Sequence, residues 1–199
     1  MIAFLLVLIV ACFGSLVVQH FIPPVAFLEG ARVFLMPVVF FYGALALPYG
    51  LTLALAVVCG FMWDALTVQV VSLMGEGGIT NVVEIAFGWS IVLYALLGAV
   101  MSGFRPLFLR GRWEIHCLMS GLLVSLMVLA EFLMLSLRRV ALYEATGFVI
   151  NREIWWRIGG AGLIALALAP LVYWFLSGLS SVVNYHPRAA AARNRTEEV

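Results

Sequence analysis

The sequence contains very few charged residues. Of its 199 residues only 11% are charged, lysine is absent, and Asp64 is the only aspartate. The formal net charge is +1, and no run of basic residues is long enough to follow a phosphate backbone. Both observations argue against nucleic-acid binding, so we expect no nucleic-acid partner.

Patterns typical of catalysis or metal binding are also lacking. Neither an HExxH nor a GxSxG motif occurs. The cysteines occur singly in apolar runs without CxxC spacing, which predicts buried, reduced thiols. The histidines are far apart, at or beyond the predicted helix ends, which predicts interfacial or solvated rings. These residues are Cys12, Cys59, Cys117, His20, His116 and His186. We therefore expect no enzyme activity, cofactor or metal site.

Hydrophobic residues make up 65% of the sequence, and the mean hydropathy is +1.13. A soluble domain of this size could not bury so much apolar surface, so the surroundings must be a lipid bilayer. At about 20 residues per crossing, the apolar runs predict an all-α bundle of six membrane spans with short loops. The predicted spans are 2–18, 32–47, 51–71, 85–104, 116–137 and 158–183.

Outside these spans, the sequence predicts one interfacial helix and one tail. Asn151 is a suitable N-cap, and the adjacent Trp155 and Trp156 are typical of the headgroup level, so residues 151–157 are expected to lie in the interface. Residues 1–185 then form the membrane domain. Residues 186–199 form a polar tail that we expect to be disordered.

The third predicted span carries the aspartate. Thr52, Ala56, Gly60 and Asp64 are spaced one helical turn apart and form a narrow stripe of small and polar residues. A carboxylate in hydrocarbon costs on the order of 2.5–3.5 kcal/mol, so Asp64 should face protein or water. The small residues would let another helix cover it. We predict that this span is the packing centre, with Asp64 as a polar lock or recognition point.

Glu131, in the fifth predicted span, is the second carboxylate expected within the membrane. It could form an acid pair with Asp64 if the two spans touch, or each could be a single buried carboxylate that binds a hydroxyl or backbone group. We favour a structural or recognition role over proton or ion coupling. The short Pro48-Tyr49-Gly50 turn predicts an antiparallel hairpin of spans two and three, which places Pro37 and Asp64 at the same membrane side.

Three other segments have local patterns. Residues 72–81 are rich in glycine but lack the ending of a phosphate-binding loop, which predicts a flexible connector. Two further small-residue stripes suit close helix contacts. They consist of Ala95, Ala99 and Gly103 in span four, and of Ala161, Ala165 and Ala169 in span six.

Part of the N-terminal half resembles a known family. The matching segments are Ala31-Arg32 through Pro37, Phe41 to Leu45, the Pro48-Tyr49-Gly50 turn and Gly60-Phe61-Met62-Trp63-Asp64. Together they resemble the rod shape-determining protein MreD. The chain departs from that family after the aspartate, where residues 68–74 are apolar and the glycines come later.

The resemblance implies a multi-pass protein of the bacterial inner (cytoplasmic) membrane with both termini in the cytoplasm. It implies a non-catalytic scaffold of the cell-elongation machinery, which organises lateral peptidoglycan synthesis with an MreC-like single-span protein, the actin-like MreB filament and the RodA synthase complex. The chain is also similar in span number to the substrate-binding components of energy-coupling-factor vitamin transporters. That alternative needs several convergent polar groups, and these spans contain few, so no small-molecule ligand is expected.

Overall fold

The computed structural model describes residues 2–28, 30–66, 70–75, 78–83, 88–106, 113–143 and 152–183. Most of them are helical. The helices are α1 (Ile2–Phe21), α2 (Leu35–Ala46), α3 (Tyr49–Leu66), α4 (Trp89–Gly103), α5 (Trp113–Tyr143) and α6 (Arg152–Val182), with a short 3-10 helix at Ala26–Leu28. Two strands, β1 (Val70–Gly75) and β2 (Gly78–Val83), lie between α3 and α4.

Four helices, α1, α3, α5 and α6, each contain a segment that is long and apolar enough to cross a membrane. The helical fold of a multi-pass membrane protein is therefore confirmed. Helices α2 and α4 are apolar but have only 12 and 15 residues. At 1.5 Å per residue they extend about 18 and 22 Å, less than the roughly 30 Å of a hydrocarbon core. Their lengths leave the predicted count of six spans undecided.

Helix α2 is the packing centre of the bundle. Every residue from Met36 to Ala46 is buried, and α2 packs against α1, α3, α4, α5 and α6. The prediction that α3 occupies the centre was wrong, because residues such as Val57 and Phe61 on its outer side are exposed. A short helix that is apolar on all sides can be surrounded by neighbours, whereas α3 has only one face of small residues.

Helix α1 shows how the bundle meets the membrane. Its buried residues recur every four positions, at Phe4, Leu8, Cys12 and Leu16. Most of the remaining positions are apolar too, and most of these are exposed. Apolar residues on an outer face are expected where the surroundings are lipid. Cys12 is buried, as are the other two cysteines, and all three thiols are free, as predicted.

Helix α3 ends earlier than predicted. It stops at Leu66 instead of continuing to residue 71, and an antiparallel hairpin follows where a flexible connector was expected. The register pairs Val70 with Val83 and Gly75 with Gly78. These segments are rich in β-branched residues and carry no charge, so strand pairing can satisfy their backbone groups.

One boundary in the C-terminal half also differs from the prediction. Helix α6 is continuous from Arg152, so a separate interfacial helix over residues 151–157 was wrong. Neither Gly159 nor Gly160 interrupts the helical hydrogen bonding, and Pro170 lies inside the helix. Asn151 and the tail predicted for residues 186–199 lie outside the described residues.

The two further small-residue stripes have different outcomes. The alanines of α6 are all buried, with at most 1% of their surface exposed. In α4 the predicted stripe is wrong, because Gly103 is exposed and its alanines are only partly buried. The close contact of α4 lies at Gly98 instead, where an added Cβ would stand 2.8 Å from the ring of Phe40. The buried face of α4 is thus set by its neighbours α2 and α3.

Candidate functional site

Asp64 connects the end of α3 to the beginning of α4. Its side chain is buried, and Oδ2 accepts a hydrogen bond of 2.6 Å from the backbone N–H of Gly88. Gly88 is the N-cap residue of α4, with φ at +96°, a conformation that glycine adopts readily. A helix N-terminus carries a partial positive charge, so a carboxylate is favourable there. Asp64 therefore caps α4 from the preceding helix.

Gly60 brings the two helices close enough for this bond. A Cβ at Gly60 would lie 2.6 Å from the backbone nitrogen of Ile91, so the backbones of α3 and α4 are in contact. Thr52 and Ala56 are buried on the same side of α3, and the Thr52 methyl group lies next to Gly98. The whole stripe that ends in Asp64 is therefore covered by protein.

Glu131 of α5 contacts Trp63, the residue before this aspartate. Its carboxylate accepts a hydrogen bond from the side chain of Trp63, and Asp64 is close enough to interact with it electrostatically. Each carboxyl group therefore has its own hydrogen-bond donor, the Trp63 side chain for Glu131 and the Gly88 N–H for Asp64. A direct acid pair stays a prediction. One oxygen of Glu131, Oε1, is buried without a hydrogen-bond partner in the described part of the chain.

Aromatic rings pack around Trp63, whose side chain donates to Glu131. The ring centroid of Trp63 is 5.8 Å from that of Phe34 and 6.3 Å from that of Tyr94. The Tyr94 hydroxyl in turn donates to Sδ of Met36 at 2.9 Å. The indole N–H of Trp89, the residue after Gly88, is buried and makes no hydrogen bond within the described segments. Among the described residues, Oε1 of Glu131 and the indole N–H of Trp89 are thus one acceptor and one donor that are buried without a partner.

Pro37 lies at the same end, in the first turn of α2. It is buried, and it has no N–H that would need an acceptor. The two N–H groups before it donate to Oε1 of Gln19 in α1, at 3.1 Å from Leu35 and 3.3 Å from Met36. Sequence analysis missed Gln19. A single amide near the end of an apolar span, shortly before two prolines, was the available signal.

A second polar cluster lies at the N-terminal end of α5. His116 is fully buried, so the prediction of an interfacial ring was wrong for this residue. Ser120 donates to the backbone oxygen of His116 at 2.8 Å and shares a hydrogen bond of 2.5 Å with the hydroxyl of Tyr173. The four-residue spacing of His116 and Ser120 was the signal in the sequence. His20 is exposed, as predicted, and its Nδ1 hydrogen-bonds to the backbone oxygen of Leu16. His186 lies outside the described residues.

The chemistry available to these two clusters is limited. Among the described residues, no group of three or more His, Cys, Asp or Glu side chains is placed to hold a metal ion. The Ser120 hydroxyl bonds to a carbonyl of His116 rather than to its imidazole, which is not the geometry of an activated nucleophile. The Asp64 cluster can fix helix ends and can hydrogen-bond one further polar group.

Comparison with known proteins gives no relative. No family model, no curated protein and no solved structure matches this chain.

Proposed function

We propose that this chain is a non-catalytic membrane scaffold of the bacterial cell-elongation machinery, of the MreD type. In this role it holds an MreC-like single-span protein in the inner membrane. Through that partner it acts with the MreB filament and the RodA synthase complex to organise lateral peptidoglycan synthesis.

The observation that supports this proposal is the position of Asp64. It ends the Gly60-Phe61-Met62-Trp63-Asp64 segment, which resembles the family, and it caps α4 at 2.6 Å from the N–H of Gly88. A carboxylate used in this way stabilises a fixed arrangement of helix ends. A fixed arrangement of helix ends is what a scaffold has to present to a partner.

The proposal includes six spans, with α2 and α4 as the two short ones. Both begin at the same end of the bundle, and each has an N-terminus satisfied by a side chain of the preceding helix. Such satisfaction matters because exposed backbone N–H groups are costly in hydrocarbon. Six spans place both termini on one side of the membrane, which is the cytoplasm in this proposal.

The direct test is a depletion experiment in the host bacterium. Depletion of the chain should turn rod-shaped cells round, and re-expression of the wild type should restore the rod. Asp64→Ala should restore shape poorly and retain less of the MreC-like protein on purification from the membrane. Gly103→Ala, at a position where an added Cβ meets nothing within 4 Å, is the matched control.

Two results would reject the scaffold. One is normal cell shape after complete depletion. The other is wild-type shape and wild-type recovery of the MreC-like protein with Asp64→Ala, measured at equal amounts of membrane-inserted protein.

A vitamin-binding component of an energy-coupling-factor transporter is the second candidate. The buried Oε1 of Glu131 and the indole N–H of Trp89 favour it, because within the described part of the chain neither has a hydrogen-bond partner. Native mass spectrometry of the purified protein with a panel of vitamins tests this alternative. A bound vitamin that is lost in Glu131→Ala would support it, and the absence of any bound vitamin would exclude it.

A further inference from the structure

Two of the three free thiols of the chain lie against each other inside the bundle. Cys12 of α1 and Cys59 of α3 have no exposed surface, and their side chains are hydrogen-bonded to each other. We propose that this pair is a redox site, which a two-electron oxidant dissolved in the bilayer converts into a disulfide that joins α1 to α3. The inference is independent of the proposed scaffold function.

The packing of three helices brings the two thiols to the same depth in the bundle. Helices α1 and α3 run in the same direction, since each forms an antiparallel pair with α2. Both contact α2 at Gly43, where an added Cβ would stand 2.7 Å from Leu55 of α3 and 3.3 Å from Leu8 of α1. Cys59 and Cys12 follow these leucines by four residues, about one helical turn. The helix arrangement therefore supports the thiol contact independently of the hydrogen bond.

Oxidation of the pair leaves no charge in the apolar core. Two S–H bonds break and one S–S bond forms, and both hydrogens, each a proton and an electron, pass to the oxidant. An azo oxidant then becomes a hydrazine, and a quinone becomes a hydroquinone. Because two neutral thiols give one neutral disulfide, the apolar surroundings do not oppose the product. A metal ion would instead require thiolates in the core.

The contact favours one particular disulfide. Hydrogen-bonded thiols need only a small displacement to reach the S–S bond length of about 2.05 Å. Cys117, near the N-terminal end of α5, is the third buried and free thiol, and it interacts electrostatically with Tyr173 of α6. It provides an internal control, since an unselective oxidation would involve Cys117 as well.

The disulfide would change the stability of the bundle. A bond between Cys12 and Cys59 closes a loop that contains all of α2, the packing centre. Such a cross-link stabilises a fold mainly because it restricts the unfolded chain, so the oxidised protein should unfold at a higher temperature than the reduced protein. Neither thiol is exposed, so the oxidant reaches the pair only when α1 and α3 separate locally. Oxidation of the folded protein should therefore be slower than that of the unfolded chain.

The test uses the full chain in vesicles of phosphatidylethanolamine and phosphatidylglycerol, treated with diamide, an uncharged azo oxidant. The remaining thiols are blocked with N-ethylmaleimide, and mass spectrometry of a non-reduced digest identifies linked peptides. We expect the free thiols to fall from three to one, with one linked peptide pair that contains Cys12 and Cys59 and is lost after dithiothreitol. Cys117→Ala should oxidise like the wild type, whereas Cys12→Ala and Cys59→Ala should form no intramolecular disulfide.

Three results would overturn the inference. The first is a folded protein that keeps all its thiols under conditions in which the chain unfolded in dodecyl sulfate is oxidised. The second is a linked peptide from the folded protein that contains Cys117 or joins two copies, the latter seen as a dimer on a non-reducing gel. The third is an unfolding midpoint of the oxidised protein at or below that of the reduced protein. The wild-type peptide map decides even if a cysteine variant does not fold.

Discussion

The two short helices begin at the same end of the bundle, and their N-termini are satisfied in different ways. At α2, the neutral amide of Gln19 accepts two N–H groups at 3.1 and 3.3 Å, and Pro37 removes a third. At α4, the carboxylate of Asp64 accepts one N–H at the shorter distance of 2.6 Å. In both cases the acceptor comes from the preceding helix, and neither N-cap residue supplies a side-chain hydrogen bond.

The two caps therefore differ in how strongly nearby charges affect them. The Gln19 cap carries no charge and depends only on geometry. The Asp64 cap is charged, so it is stabilised by the helix dipole and is sensitive to nearby charge, and Glu131 is the carboxyl group with which Asp64 interacts electrostatically. A partner that supplies a hydrogen-bond donor or a positive charge to Glu131 would change the balance at α4 and leave α2 unaffected.

The largest change should come from separating α3 and α4. In Gly60→Leu, the added side chain meets the backbone of Ile91, which cannot move without shifting the whole helix. Overpacking typically costs about 1–3 kcal/mol or more, and here it would also break the Asp64 cap. Thermal unfolding in detergent micelles should show a large drop in midpoint. Gly103→Leu, at an open position, should stay near the wild type, and equal losses in the two variants would contradict the close helix contact.

Removing the charged cap should have the next largest effect. Asp64→Ala loses a hydrogen bond to a charged group, which is worth about 1.5–3 kcal/mol. Asp64→Asn should be milder because it keeps an acceptor oxygen. Unfolding midpoints and hydrogen exchange at the first turn of α4 measure this, and exchange at α2 provides the internal control. Faster exchange at α2 alone would reject the assignment of Asp64 to α4.

The neutral cap should be weaker. Gln19→Ala removes two neutral hydrogen bonds, together worth about 1–2 kcal/mol, and it should speed hydrogen exchange at Leu35 and Met36 without affecting α4. Gln19→Glu keeps an acceptor and should recover part of the stability. A loss in Gln19→Ala greater than that in Asp64→Ala would reverse the comparison between the two caps.

The smallest effect is expected for Glu131→Gln. The amide oxygen still accepts the hydrogen bond from Trp63, and the cost of ionising a buried carboxyl group near Asp64 is removed. We expect an unfolding midpoint equal to that of the wild type or slightly above it. A clear loss of stability would mean that the negative charge of Glu131 itself is required, and it would favour a bound cation or an internal positive partner over simple helix capping.

The candidate site could be read from the sequence only in part. The stripe from Thr52 to Asp64 follows from helical spacing within one element, so its shared face is a local property. The partner of Asp64 could not be predicted from the sequence. It is the backbone N–H of Gly88, and a backbone N–H is present at nearly every residue. Gln19 was missed for a similar reason, since an amide in an apolar span gives no pattern until the neighbouring helix end is known.

By itself, the sequence determined the environment and the helical class. A composition with 65% hydrophobic residues needs a bilayer, and within a bilayer the helix satisfies its own backbone. Only the tertiary structure decided that α2 rather than α3 is the centre, that His116 is buried, and that Glu131 accepts a hydrogen bond from Trp63. The physical reason is that every helix here is apolar on nearly all sides. Hydrophobicity then cannot mark the inward face, and the fit of small residues against neighbouring helices decides which faces meet.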